Sequence, residues 1–145
     1  MSASASTFRE LLSQPTDTVD RPRALAEGHY IGEIRGHEFG RSRQKQTPFV
    51  RFVLVPSEET ADVAEGANAG TDLAKRELRK DFYITPNSLY RLSDMLDATL
   101  GQQSGRSFDE RIPETRGVRV MFQVTCRDNE DGTETYNDVG NIVAA

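Results

Sequence analysis

Residues 48–55, PFVRFVLV, constrain the fold more than any other stretch of the chain. A run this rich in β-branched and aromatic side chains, with one charge at Arg51, fits a strand buried on one face. Alternation sets Val50, Phe52 and Leu54 on one side and Phe49, Arg51, Val53 and Val55 on the other. An arginine between Phe49 and Val53 keeps that second side at least partly open. A strand of this kind needs partners on both edges, so the rest of the chain must supply a sheet.

The partners are legible on either side. Residues 29–39 form a strand punctured by Gly32 and Gly36, and interior glycines mark strong coiling or close approach of another backbone. A polar, basic turn, GRSRQKQ, joins it to the central run. Residues 57–72 have no sustained period and read as a mobile loop, with a short helix around 60–65 as the alternative. Residues 77–84 form a third strand. Thr85 as N-cap and Pro86 at the first helical position then open a helix with a Leu89, Leu92, Leu96, Leu100 stripe that Gly101 stops. A connector with a short helix near Asp109 leads to the fourth strand, 118–126, whose alternation points Val118, Val120, Phe122, Val124 and Cys126 inward. Cys126 reads as an inert core thiol. An Asp-Gly turn leads to a fifth strand, about 133–143. The order β-β-β-α-β-β with a glycine-bearing first strand predicts a mainly β fold, a five-stranded OB-fold Greek-key barrel with one helix between strands 3 and 4.

At 145 residues the chain holds one domain, expected over 27–145 and preceded by a flexible arm over 1–26 with one apolar patch at Phe8, Leu11 and Leu12. No apolar run approaches the length of a membrane span, and the N-terminus lacks the basic start and apolar stretch of a secretory signal. A soluble, cytoplasmic protein is expected. One cysteine excludes an internal disulfide, and two histidines with one cysteine make no metal cluster or nucleophilic site. The chain reads as a non-enzyme without metal or cofactor.

Several short elements, taken in order, resemble one family. They are Gly28-His29-Tyr30 before the first strand, Thr47-Pro48-Phe49-Val50-Arg51-Phe52 in the second, and Asp81-Phe82-Tyr83-Ile84-Thr85 running into the helix. Gly117-Val118-Arg119-Val120 enters the fourth strand, and Tyr136-Asn137-Asp138-Val139 closes the set. Over about residues 27–143 the chain resembles the bacteriophage-encoded single-stranded-DNA-binding-like proteins, a family long carried under a domain-of-unknown-function label. The resemblance implies an OB-fold and a role in phage DNA replication or recombination, with proteins of those processes as partners.

The residues support single-stranded DNA as the partner on independent grounds. Net charge is −5, which argues against binding by bulk charge. The cations nevertheless collect on the strand-rich segments and the acids between them. Sequence-independent binding needs phosphate-contacting cations and aromatic faces for bases. The turn after strand 1 offers Arg41, Arg43 and Lys45. The outward face of strand 2 offers Phe49 and Arg51, and strand 3 adds Arg79 and Tyr83 if Phe82 and Ile84 are core. Arg35, His37 and Phe39 are expected beside them on strand 1. Competing structural roles stay open: Phe39 and Phe49 closing the barrel end, Tyr83 packing on the helix, His37 as a plain surface residue. The acidic turn DNEDG after strand 4 should repel DNA. An OB-fold interaction or assembly adaptor that binds no nucleic acid is the second reading, and an edge strand with Val53 and Val55 on the open face leaves self-association open.

Overall fold

A computed structural model of the chain describes residues 5–16 and 23–145. The order is α1 (Ala5–Leu12), β1 (Gly28–Arg41), β2 (Pro48–Glu59), β3 (Leu78–Tyr83), α2 (Leu89–Leu100), α3 (Phe108–Arg111), β4 (Arg119–Asp128) and β5 (Thr135–Ala144), with 3-10 turns at Leu73–Lys75 and Ile112–Thr115. All pairings are antiparallel and make one five-stranded sheet in the order β3-β2-β1-β4-β5. The sheet is open. Its edge strands β3 and β5 come within 8 Å between Cα atoms, but no ladder joins them; side chains of Arg51, Lys80, Asp81 and Asp138 line the seam. The hydrogen-bonded closure expected of a barrel is therefore not formed. Among the described residues no helix is long and apolar enough to cross a membrane.

The buried set follows the alternation. Val50, Phe52 and Leu54 of β2 and Val120, Phe122 and Val124 of β4 are inaccessible to solvent, and Tyr30 stacks on Phe122 at 6.4 Å between centroids. Leu92, Met95 and Leu96 of α2 complete the core. Two expectations need correction. The helix starts at Leu89 and not after Thr85, because Pro86–Ser88 form a turn that the Ser88 hydroxyl ties back to the Tyr83 carbonyl at 2.8 Å. Cys126 is exposed, since inward alternation ends at Val124; partial burial still pushes its thiol pKa up, and Sγ donates to the Leu25 carbonyl at 3.2 Å. Arg111, which no pattern singled out, is buried and clamps the end of α2 by donating to Asp97 at 2.8 Å and to the Gly101 carbonyl.

β1 pairs with β4 through its first six residues and with β2 along most of its length, and two register shifts let it do so. At the first, Ser57 is the extra residue and Gly32 lies against the Val55 carbonyl; a Cβ on Gly32 would stand 2.2 Å from that oxygen. At the second, Arg35 is the extra residue. Gly36 beside it faces open space.

The stretch before β1 packs on the body. Leu25 is buried, and its N–H and carbonyl both bond the Asn137 amide, so the folded part begins before residue 27; residues 1–4 and 17–22 of the expected arm lie outside the described residues. α1 is eight residues long, with Phe8, Leu11 and Leu12 exposed. Residues 57–72, read as a mobile loop, are irregular beyond β2 and hydrogen-bonded to the start of β1. Asp62 accepts from the His29 N–H at 2.8 Å, from its ring at 2.6 Å and from the Thr60 hydroxyl at 2.7 Å. Asn68 joins Tyr30 Oη, Glu59 and the Ala26 N–H.

Two outcomes follow from this packing. Gly32→Ala forces a methyl group onto backbone and should cost about 2–3 kcal/mol in urea unfolding, whereas Gly36→Ala should stay within about 1 kcal/mol. The hydrogen bonds from the His29 backbone and ring hold the Asp62 carboxyl well below its ordinary value of 3.8. The unfolded chain therefore takes up a proton there before the folded one, and the stabilisation from Asp62 is complete above about pH 4 and fades below it. Thermal unfolding of Asp62→Asn should show a deficit at pH 7 that narrows as pH drops below about 4.

Candidate nucleic-acid interface

The β2–β3 register decides which side chains share the outward face. Phe49 stands opposite Tyr83, Arg51 opposite Asp81 and Val53 opposite Arg79, all turned away from the buried row Val50, Phe52 and Leu54. Phe49 and Tyr83 meet edge to face with centroids 6.3 Å apart. The Phe49 ring also lies over Gly40, where a Cβ would come within 2.8 Å of it, and is half-buried there. Tyr83 is 47% exposed and presents the open ring of the pair.

The charge on this face is largely neutralised. Arg51 lies 5.1 Å from the Phe49 centroid and donates two bonds to Asp81, at 2.7 and 3.0 Å, with Glu38 3.8 Å away. Among the described residues Arg79 has only Glu77 as an acidic partner, at 3.6 Å, and both are exposed.

The turn between β1 and β2 is different. Ser42 and Thr47 close it through the Ser42 N–H to the Thr47 carbonyl and the Thr47 N–H to the Ser42 hydroxyl. Gln46 sits at φ 54°, a left-handed conformation held in part by its amide donating to the Arg43 carbonyl at 3.1 Å. Arg41 donates to the Gln46 carbonyl, and all three cations, Arg41, Arg43 and Lys45, are exposed. None of them has an acidic partner within 4 Å among the described residues. The turn is thus closed by uncharged groups and one bond from Arg41, and no acid neutralises its cations among the described residues.

Two expected members of the site lie elsewhere. The extra residue at Arg35 reverses the alternation of β1, so His37 faces the same side as Phe52 and Phe39 the same side as Val50. Phe39 is therefore on the opposite face from Phe49, packed edge-on against His37 at 5.5 Å and 60% exposed. The same reversal brings Glu38 to the outward face beside Arg51. Arg35 itself occupies the bulge and pairs with Glu33 at 3.3 Å. The remaining seven, Arg41, Arg43, Lys45, Phe49, Arg51, Arg79 and Tyr83, fall on one face and its adjoining turn.

A groove of about 940 Å³ joins Arg79 to residues that the sequence reading missed. Arg23, Arg76 and Arg79 line one side, and Arg127 and Tyr136 line the other. Arg127 lies over the Tyr136 ring at 5.4 Å and bonds Asp138. The acidic turn beyond them binds its own backbone, with Asp131 accepting from the Thr133 N–H and hydroxyl. The signal available in the sequence was Arg127 and Tyr136 placed symmetrically about the Asp-Gly turn, which makes them cross-strand partners. Among the described residues no group of three or more His, Cys, Asp and Glu could hold a metal.

Among the described residues the side chains of Arg43 and Lys45 bond nothing in the turn, and Arg41 contributes one exposed bond, to the Gln46 carbonyl. Arg41, Arg43 and Lys45 each replaced by Ala should shift the unfolding free energy by less than about 0.5 kcal/mol, and Tyr83→Ala by less than about 1.5 kcal/mol, whereas Phe52→Ala should cost about 3–5 kcal/mol. Denaturant unfolding of the five variants checks this. No protein-family model matches the chain, and no curated protein matches it either.

Proposed function

We propose that the chain is a single-stranded DNA-binding protein of the OB-barrel class that binds with little sequence preference. The strand order, with β3 and β5 as the facing edges and a helix between β3 and β4, supports the OB-barrel reading. The resemblance of residues 27–143 to phage single-stranded-DNA-binding-like proteins supports a place in phage DNA replication or recombination.

The observation that carries the reading is one juxtaposition. The exposed Tyr83 ring, backed by Phe49, shares its face with a turn whose three cations have no acidic partner. Bases stack on an aromatic ring whatever their identity, and unpaired guanidinium and ammonium groups contact phosphates without reading sequence. The pairing of Arg51 with Asp81 limits how much phosphate attraction the middle of the face exerts. Affinity therefore depends on the turn and on stacking together.

Fluorescence anisotropy with labelled oligo-dT across a salt series tests this. Wild-type protein should bind with an affinity that falls steeply as salt rises. Replacing Arg41, Arg43 and Lys45 with Ala should reduce the log–log salt slope by about 2, since each single-strand phosphate contact contributes about 0.7. Tyr83→Ala should weaken binding by about 1–3 kcal/mol with the slope unchanged. No saturable binding at low salt would overturn the reading and turn attention to an assembly role for the fold.

A further inference from the structure

Among the described residues three arginines lie over an aromatic ring: Arg51 on Phe49 at 5.1 Å, Arg127 on Tyr136 at 5.4 Å and Arg91 on Tyr90 at 5.6 Å. The first belongs to the face described above and the second to the large groove. The third, in the first turn of α2, has no part in either. Tyr90 is 58% exposed, so folding does not account for its ring.

The three pairs are connected along the seam between β3 and β5. The 940 Å³ groove carries Arg127 and Tyr136 and is bounded by Arg79. Arg79 is also a wall of a second cavity of about 400 Å³, which Arg51 lines, and Lys80 forms its other end. Lys80 in turn lines a third cavity of about 430 Å³ with Phe82, Tyr90, Arg91, Asp94 and Asn141. Through shared lining residues, Arg79 and then Lys80, the three cavities follow one another from the β4–β5 hairpin to α2.

Charge is distributed unevenly along this series. In the middle, Arg51 is paired with Asp81, and at the hairpin end Arg127 is paired with Asp138. At the α2 end, Lys80 lies 5.8 Å from the Phe82 centroid and Arg91 donates to Tyr90 Oη at 3.1 Å. Neither cation has an acidic partner within 4 Å among the described residues, although Asp94 lines the same cavity. An exposed ring, two unpaired cations and a cavity large enough for a base make a stacking and phosphate site.

We propose that the cavity between α2 and β5 is a further nucleotide subsite: a DNA strand held on the β2–β3 face continues along the seam and places a base against Tyr90, with its phosphate between Lys80 and Arg91. This rests on the nucleic-acid reading above. It predicts an occluded length longer than the outward face alone provides, within the range of about 4–16 nucleotides seen for single OB folds.

Oligo length separates the two readings. Affinities for dT of about 5 and about 16 nucleotides would be measured for wild type, for Tyr90→Ala combined with Arg91→Ala, and for Lys80→Ala. Tyr90 and Arg91 are exposed and Lys80 is partly exposed, so the variants should fold. Both are expected to lose about fivefold or more on the long oligomer and to match wild type on the short one. Wild-type affinity on the long oligomer, or an equal loss on both lengths, overturns the subsite while leaving the β2–β3 site intact. A wild-type protein that binds neither length overturns both readings.

Discussion

The bending of β1 is the constraint on which the rest of the structure depends. One strand of 14 residues has to serve β4 with its first half and β2 along most of its length. It does so where the Gly32 backbone lies against the Val55 carbonyl, a contact no residue with a Cβ could make, and where an extra residue is let out at Ser57 and again at Arg35. These features place β2 and β3 on one side of β1 and β4 and β5 on the other. The unpaired edges of β3 and β5 then come to face each other across the seam.

The same bend sets the composition of the candidate site. Without the extra residue at Arg35, the outward face would carry His37 and Phe39 beside Phe49 and Arg51. With it, Glu38 takes that place and Arg51 is held between two acids, Asp81 and Glu38. The face is aromatic and close to neutral, and the attraction for an anionic chain is displaced to its margins. The margins are the turn at Arg41, Arg43 and Lys45 and, at the far end of the seam, Lys80 and Arg91. Under the proposed function, such a surface would stack bases in the middle and contact phosphates at the ends, without reading sequence.

Element identity was legible because period and punctuation agree in this chain. The alternation in β2 and β4, the leucine stripe of α2 and the Gly101 stop each correspond to what the structure forms. The shared face of Phe49, Arg51, Arg79 and Tyr83 was legible for the same reason, since simple alternation holds on β2 and β3. Phe39 and Arg35 were not, because a bulge shifts parity without leaving a sequence mark that distinguishes Gly36 from Gly32. The burial of Leu25, the Asp62 and Asn68 contacts and the Arg111 clamp depend on residues up to 112 positions apart, and no local pattern encodes such pairings. Cys126 fell outside the core because alternation was carried one residue past the end of the buried row at Val124.

The central claim is that bases stack on the outward face of β2 and β3, and photo-crosslinking tests it most directly. Oligo-dT carrying a photoreactive thymine analogue would be bound at low salt, irradiated and mapped by peptide mass spectrometry. Crosslinks are expected in the peptides that contain Tyr83 and Phe49, and are expected to be lost in Tyr83→Ala. Crosslinks confined to the opposite face, at His37 and Phe39, would contradict it.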